Sequence, residues 1–194
     1  MTPLGKIVHL QIQRASLKTG EKPNRVYDPA PLLAVHSLTL TPHGAEAHLP
    51  DGSVLLDIHN ACHPETKNSE NENALSIGFT HHYELMRQRF GEHVPLGCGG
   101  ENIIVETERR IELSEVAGGL VIQTADGALV RLENVRVAEP CRPFAGYLLG
   151  RQVDGDTLKA GVQFLQAGMR GYYLRLAGDV SATVRLGDVV FTQP

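Results

Sequence analysis

Apolar and polar residues alternate near the start of the chain. Val8, Leu10 and Ile12 stand against His9, Gln11 and Gln13, the period-two pattern of a half-buried strand. A polar stretch over 18–28 follows and reads as a loop, and 32–41 is strand-like, closing at Pro42-His43-Gly44. Pro50-Asp51-Gly52 is a turn signal feeding a strand over 54–58, and 60–73 is densely polar and reads as an exposed loop. The spacing then predicts a helix. Thr80 can cap it, Glu84 suits its first turn, Tyr83, Met86 and Phe90 share one face, and Gly91 can end it. Short strands recur at 103–106, 120–124, 129–132 and 135–138, with Asp126-Gly127 as a hairpin turn. A second helix starts at Asp156 or Thr157, turns Leu158, Val162 and Leu165 inward and stops at Gly168. Strands near 172–176 and 184–192 follow. About nine short strands and two or three helices, without an internal repeat, describe a mainly β chain: a barrel with helical excursions.

The length of 194 residues suits one domain over 1–194. A chain of that size buries roughly 70% of its unfolded surface and needs neither disulfide nor metal to fold. Eighteen basic against 22 acidic side chains leave a formal charge of −4, which argues against a general binder of nucleic acid or membrane surfaces. Aliphatic runs such as 32–35 are far too short for a membrane span, and the first residues lack the blocks of a signal peptide. Three cysteines, an odd number, suggest free thiols in a reducing compartment, so the expectation is a cytoplasmic protein.

Pro140-Cys141-Arg142-Pro143 is the most informative tetrapeptide. Its prolines fix φ on either side and are expected to exclude regular helix, holding Cys141 in a rigid bend at a strand end. Arg142 favours the thiolate, the form that ligates metal and carries sulfur, while the bland reading of Cys141 is a small buried hydrophobe. In Gly97-Cys98-Gly99-Gly100-Glu101-Asn102 a strand follows the glycines, which excludes the dinucleotide fingerprint and the phosphate loop. Bare amides could still cradle an anion, with Glu101 and Asn102 fixing a polar ligand; a tight turn with locally satisfied side chains is the alternative. Cys98 has no partner at metal spacing. All nine histidines precede Val94, and a zinc site from His59, His63 and a cysteine or further histidine is conceivable, although no strong zinc signature is present. No Gly-x-Ser-x-Gly elbow supports a serine hydrolase.

Taken in order, Asp57-x-His59, Phe79-Thr80-x-His82-Tyr83, Gly100-Glu101-Asn102-Ile103, Pro140-Cys141-x-Pro143-Phe144, Gly171-Tyr172-Tyr173 and Gly187-Asp188-Val189-Val190 resemble the MOSC domain, named for the C-terminal domain of molybdenum-cofactor sulfurases. The resemblance implies a MOSC-type β-barrel with a cleft that binds the molybdenum cofactor, a pterin dithiolene phosphate, or passes sulfur to it. By similarity Cys141 matches the cysteine that ligates molybdenum or carries a persulfide. Gly100, Glu101 and Asn102 match the turn near the cofactor, and His59 a histidine following the aspartate. Arg142 and the Gly100 turn are candidates for the pterin phosphate, as are Lys67 and Arg25. Where many small bacterial members have two glycines after the histidine, this chain has Asn60 and Ala61. The family includes reductases of N-hydroxylated compounds served by separate electron donors. The chain has no flavin or iron–sulfur motif of its own, so the resemblance implies a redox partner, or a cofactor-biosynthesis protein if the domain is a sulfur carrier instead.

Overall fold

The computed structural model describes residues 1–66, 68, 72–150 and 153–193. From the N-terminus come β1 (Thr2–Gln13), the short pair β2 (Lys18–Thr19) and β3 (Val26–Tyr27), β4 (Leu32–Ala34), and the meander β5 (Ser37–Thr41), β6 (Gly44–His48) and β7 (Val54–Leu56). The middle of the chain holds β8 (Leu75–Phe79), α1 (Thr80–Phe90), β9 (Ile103–Val105) and the single turn α2 (Leu113–Val116). Then follow β10 (Leu120–Gln123), β11 (Leu129–Val137), α3 (Arg142–Leu149), α4 (Gly155–Phe164), β12 (Tyr172–Leu176), β13 (Ala182–Arg185) and β14 (Val189–Thr192).

Seven strands close into a barrel in the order β14, β10, β11, β12, β8, β9, β1, with β1 returning onto β14. Closure leaves these strands no free edge, which is how an all-β wall avoids edge-to-edge association. The neighbours are antiparallel except β8 and β9, which run parallel with α1 between them in the chain. A four-stranded sheet, β13–β5–β6–β7, adds Leu38, Leu40, Ala45, Ala47 and Val184 to the barrel's apolar interior. A second apolar cluster lies outside the barrel wall, where Tyr83 and Met86 of α1 meet Phe144 and Leu148 of α3, Leu165 and the outward-facing Ile104.

The mainly β barrel expected from the pattern is what the chain forms, and its departures from strict alternation have local causes. In β1 the inward residues are Ile7, Leu10 and Ile12, while Val8 is 39% exposed, because the register against β9 slips between Ile7 and His9. That bulge changes which face each side chain meets. Gln11 and Gln13 are buried as well, since the far end of β1 is covered on both faces. The stretch 32–41 is two strands: β4 pairs with β1, and β5 turns away to pair with β6 and β13. Conversely, 129–138 is almost entirely one strand, kinked where Asn134 adopts φ 56° and the register against β12 shifts. β8 is buried on both faces: large apolar Leu75, Ile77 and Phe79 alternate with Ser76 and Gly78, and no position meets solvent.

α1 occupies its expected span, but Thr80 does not cap it. The Thr80 hydroxyl accepts from the Thr107 N–H at 2.9 Å and donates to the Thr107 carbonyl at 3.2 Å, tying the helix to the chain after β9. α4 begins earlier than expected because Asp154 caps it, accepting from the Thr157 N–H at 2.8 Å. The expectation that the two prolines exclude helix around Cys141 is corrected. Cys141 is itself the N-cap of α3, and Pro143 stands in the first turn, where a missing N–H breaks no helical bond.

His82 of α1 is buried and accepts the Ile111 N–H at Nε2, 3.0 Å away. Burial, aided by nearby Arg110, lowers its pKa to about 4. A histidine depressed in the folded state supports folding above its unfolded pKa near 6.5 and loses that support as pH falls toward 4, a swing of about 3 kcal/mol. His82→Gln keeps an acceptor for Ile111 and is expected to lose less stability than the parent between pH 7 and pH 4.5 in urea unfolding. Equal losses would show that other groups set the acid limit.

A second prediction concerns Gly171, which opens β12 at φ 96°; a Cβ there would lie 2.3 Å from the Ile77 carbonyl oxygen of β8. Gly171→Ala is expected to destabilise the barrel by about 2–4 kcal/mol in the same assay. A change under about 0.5 kcal/mol would contradict this contact.

Candidate functional site

A cavity of about 440 Å³ opens where the end of β1, the β2–β3 hairpin, the loop after β7, the turn before β9 and the start of β12 meet. Its anchor is Asp57, which is fully buried. One carboxylate oxygen, Oδ2, accepts from the Gln13 N–H at 2.7 Å and from Asn102 Nδ2 at 2.8 Å. The other, Oδ1, accepts from the His59 N–H and from His59 Nδ1, both at 2.9 Å. The imidazole of His59 is thereby fixed with Nδ1 toward the protein, and His59 lines the cavity beside Tyr173 with its side chain 30% exposed. The carboxylate sets both the ring's orientation and its tautomer.

The Gly100-Glu101-Asn102 turn divides its work. Asn102 sits behind the cavity as a brace: Oδ1 accepts from the Ser76 N–H and hydroxyl, both at 3.0 Å, while Nδ2 reaches Asp57 and the Gln11 carbonyl. Gly100 and Glu101 line the cavity. The Glu101 carboxyl accepts the Tyr83 hydroxyl at 2.6 Å, and burial raises its pKa against the opposing pull of that hydrogen bond and of Arg170. Gly78 and Gly99 leave room for it: a Cβ at Gly99 would stand 2.4 Å from Glu101 Oε1, and one at Gly78 3.0 Å from its Cγ. Gln11 supports the turn from β1, donating to the Gly97 and Glu101 carbonyls at 2.7 and 2.9 Å.

Among the described residues three cations line the cavity: Lys18, Arg25 and Arg170. Arg170 is buried, donates to the Glu139 carbonyl at 3.2 Å and the Gly99 carbonyl at 3.0 Å, and stacks 5.2 Å from the centre of the Phe144 ring. Burial would lower its pKa, but Tyr173, Tyr27, Cys141 and Glu101 around it raise it on balance, so it stays charged. The Nε of Arg25 is buried without a hydrogen-bond partner among the described residues, an unsatisfied donor at the wall of the cavity. Sequence reasoning missed Arg170, a lone charge in Met169-Arg170-Gly171 just before an apolar strand; that placement was its only signal. Arg142 is exposed and faces a different hollow with Asp156 and Lys159. Lys67 lies outside the described residues.

Cys141 is half-buried at the N-cap of α3, against the second apolar cluster and close enough to Arg170 to interact with its charge; it is not among the residues that wall the cavity. All three cysteines are free thiols. Burial pushes the Cys98 thiol well above its ordinary range, whereas Cys62 is exposed. Ellman titration of the native protein is therefore expected to find Cys62 and Cys141 reactive and Cys98 silent until the chain unfolds. A third thiol reacting at native pace would contradict the packing around Cys98. His63 accepts the Glu65 N–H with its own Nδ1, and no group of three His, Cys, Asp or Glu side chains placed to hold a metal ion occurs among the described residues.

The model of the MOSC domain matches residues 64–191, about two thirds of the chain. The chain belongs to the MOSC domain family. Solved structures share the fold of this MOSC domain over nearly its full length. The YUAD protein from Bacillus subtilis is 16% identical with a TM-score of 0.56, covering 95% of this chain and 93% of that one. YiiM from Geobacillus stearothermophilus is 14% identical with a TM-score of 0.56, covering 97% and 75%. YiiM from Escherichia coli is 16% identical with a TM-score of 0.51, covering 95% and 68%. Comparison with curated proteins finds no match. No helix among the described residues is long and apolar enough to cross a membrane.

Proposed function

We propose that this MOSC domain binds the molybdenum cofactor in the cavity beside Glu101 and Arg170 and, supplied with electrons by a separate donor, reduces N-hydroxylated compounds. The observation that carries the reading is the unsatisfied Arg25 Nε, buried in the wall of a cavity that also holds Lys18 and Arg170. Such a cluster fits an anionic ligand, and the pterin phosphate is one. Arg25 and Lys18 would hold the phosphate, with the Gly99–Gly100 backbone alongside. Cys141, within reach of the charge of Arg170, would supply the soft thiolate that suits molybdenum. When bound, the cofactor supplies two-electron redox chemistry; the protein binds it, orients it and shapes the substrate space.

The test is reduction of an N-hydroxylated purine by the molybdenum-loaded protein with an artificial low-potential donor, in the parent and in Arg25→Gln. The expected result is turnover in the parent and weaker cofactor retention in Arg25→Gln. Molybdenum-loaded parent protein without turnover on any N-hydroxylated compound would overturn the reductase reading.

One observation favours a second reading, a carrier that passes sulfur to the cofactor: Cys141 lies off the cavity wall, half-buried at the N-terminus of α3. Its partner would be a cofactor-biosynthesis protein. Intact mass of protein purified without reductant would then show an adduct of about 32 Da on Cys141, one persulfide sulfur. Consistent absence of the adduct would count against the carrier.

A further inference from the structure

Among the described residues of the cavity wall, His59 is the one histidine, and its side chain is 30% exposed. We propose that it is the proton donor of the reduction, delivering the Nε2 proton to the departing hydroxyl oxygen, a role that rests on the reductase reading above.

The geometry commits the ring. Asp57 Oδ1 binds both the His59 backbone N–H and Nδ1 at 2.9 Å, so backbone and side chain are held by one oxygen, and Asp57 is itself immobilised by Gln13 and Asn102. With Nδ1–H given to the carboxylate, Nε2, which makes no hydrogen bond among the described residues, is the nitrogen that takes up and hands on a proton. Tyr173 packs against the ring at 6.2 Å and also interacts with Arg170, placing His59 on the same side of the cavity as the buried guanidinium. The other ionisable groups of the wall serve less well. Lys18, Arg25 and Arg170 are cations suited to holding an anionic ligand rather than to acid–base work. Glu101 is buried behind Gly99 and engaged by Tyr83, and Glu65 is exposed. His59 alone among the described wall residues combines histidine chemistry, a fixed tautomer and solvent access.

The reduction converts R–NH–OH, two electrons and two protons into R–NH2 and water. The electrons come from the separate reductase by way of the bound cofactor. As the N–O bond breaks, its oxygen takes the Nε2 proton of the His59 imidazolium and leaves as water. The nitrogen, holding the new electron pair, takes its second proton from solvent. His59 is then reprotonated through the mouth of the cavity.

Three readouts test this on the molybdenum-loaded protein with an N-hydroxylated purine as substrate. His59→Gln, which can still bond Asp57, is expected to retain molybdenum and KM while kcat falls about 10²–10³-fold. His59→Ala is expected to regain activity with added imidazole. Nitrogen-15 NMR of the parent, loaded or not, should show neutral His59 with its proton on Nδ1, and Asp57→Asn should lose that preference. A His59→Gln kcat equal to the parent's overturns the donor role alone. So does a neutral imidazole protonated on Nε2, and so does loss of molybdenum from His59→Gln, which would make His59 a cofactor-holding residue. A loaded parent that reduces no N-hydroxylated compound overturns the reductase reading and the donor role with it.

Discussion

Asp57→Ala is expected to destabilise the protein by about 3–5 kcal/mol, one of the largest losses available to a single side chain away from the apolar core. The carboxylate takes four hydrogen bonds from three parts of the chain: the end of β1, the loop after β7 and the turn before β9. Truncation strands the buried Gln13 N–H and leaves Asn102 Nδ2 only its longer bond to the Gln11 carbonyl at 3.3 Å, and each unsatisfied donor costs about 1–3 kcal/mol. It also releases the His59 ring. Asp57→Asn keeps the shape and one acceptor, so about half the loss is expected. Urea unfolding of both variants is the check, and a loss below about 1 kcal/mol for Asp57→Ala would show that water replaces the carboxylate at little cost.

Arg170→Met is expected to cost a similar amount, in a strongly pH-dependent way. The guanidinium is buried, bonds two backbone carbonyls and opposes the burial of Glu101. Removing one member of a buried charged group typically costs about 3–5 kcal/mol because the other is left uncompensated. The sign follows from Glu101, whose pKa burial already raises. A carboxyl raised in the folded state favours folding while protonated and loses that advantage as pH climbs past the ordinary carboxylate range. Without Arg170 the rise is larger, so Arg170→Met should weaken progressively toward alkaline pH and recover on acidification. Adding Glu101→Gln should restore much of the alkaline stability. Parallel stability–pH curves for parent and Arg170→Met would refute the coupling between the two residues.

The barrel was legible in the sequence wherever one face of a strand meets solvent or a hairpin turn is marked, as at Pro42-His43-Gly44 and Asp126-Gly127. It was illegible where both faces are buried. β8, central to the site because it carries Ser76 and Gly78, buries both of its faces, so those two residues mark no solvent side and the strand is short between a polar loop and α1. Bulges at Val8 and Asn134 shift faces without a sequence mark strong enough to read. Around the cavity, Glu101, Gly100 and His59 could be named because their motifs are compact. Arg170 could not, since what makes it part of the wall is the return of β12 alongside β8, a contact far apart in sequence. The same distance hides why Asn102 matters: it braces Asp57 across 45 positions of chain.

The proposed function has the cavity hold the molybdenum cofactor while Cys141, which lies off the cavity wall beside Arg170, reaches the metal as its thiolate. The most direct measurement is molybdenum per chain by plasma mass spectrometry, on parent and Cys141→Ser protein from a host that makes the cofactor. Cys141 is only half-buried and serves as an N-cap, a role serine fills well, so the variant should fold. The account predicts near-stoichiometric molybdenum in the parent and none in the variant. Equal molybdenum in both would contradict Cys141 as ligand, and none in either would contradict the cofactor.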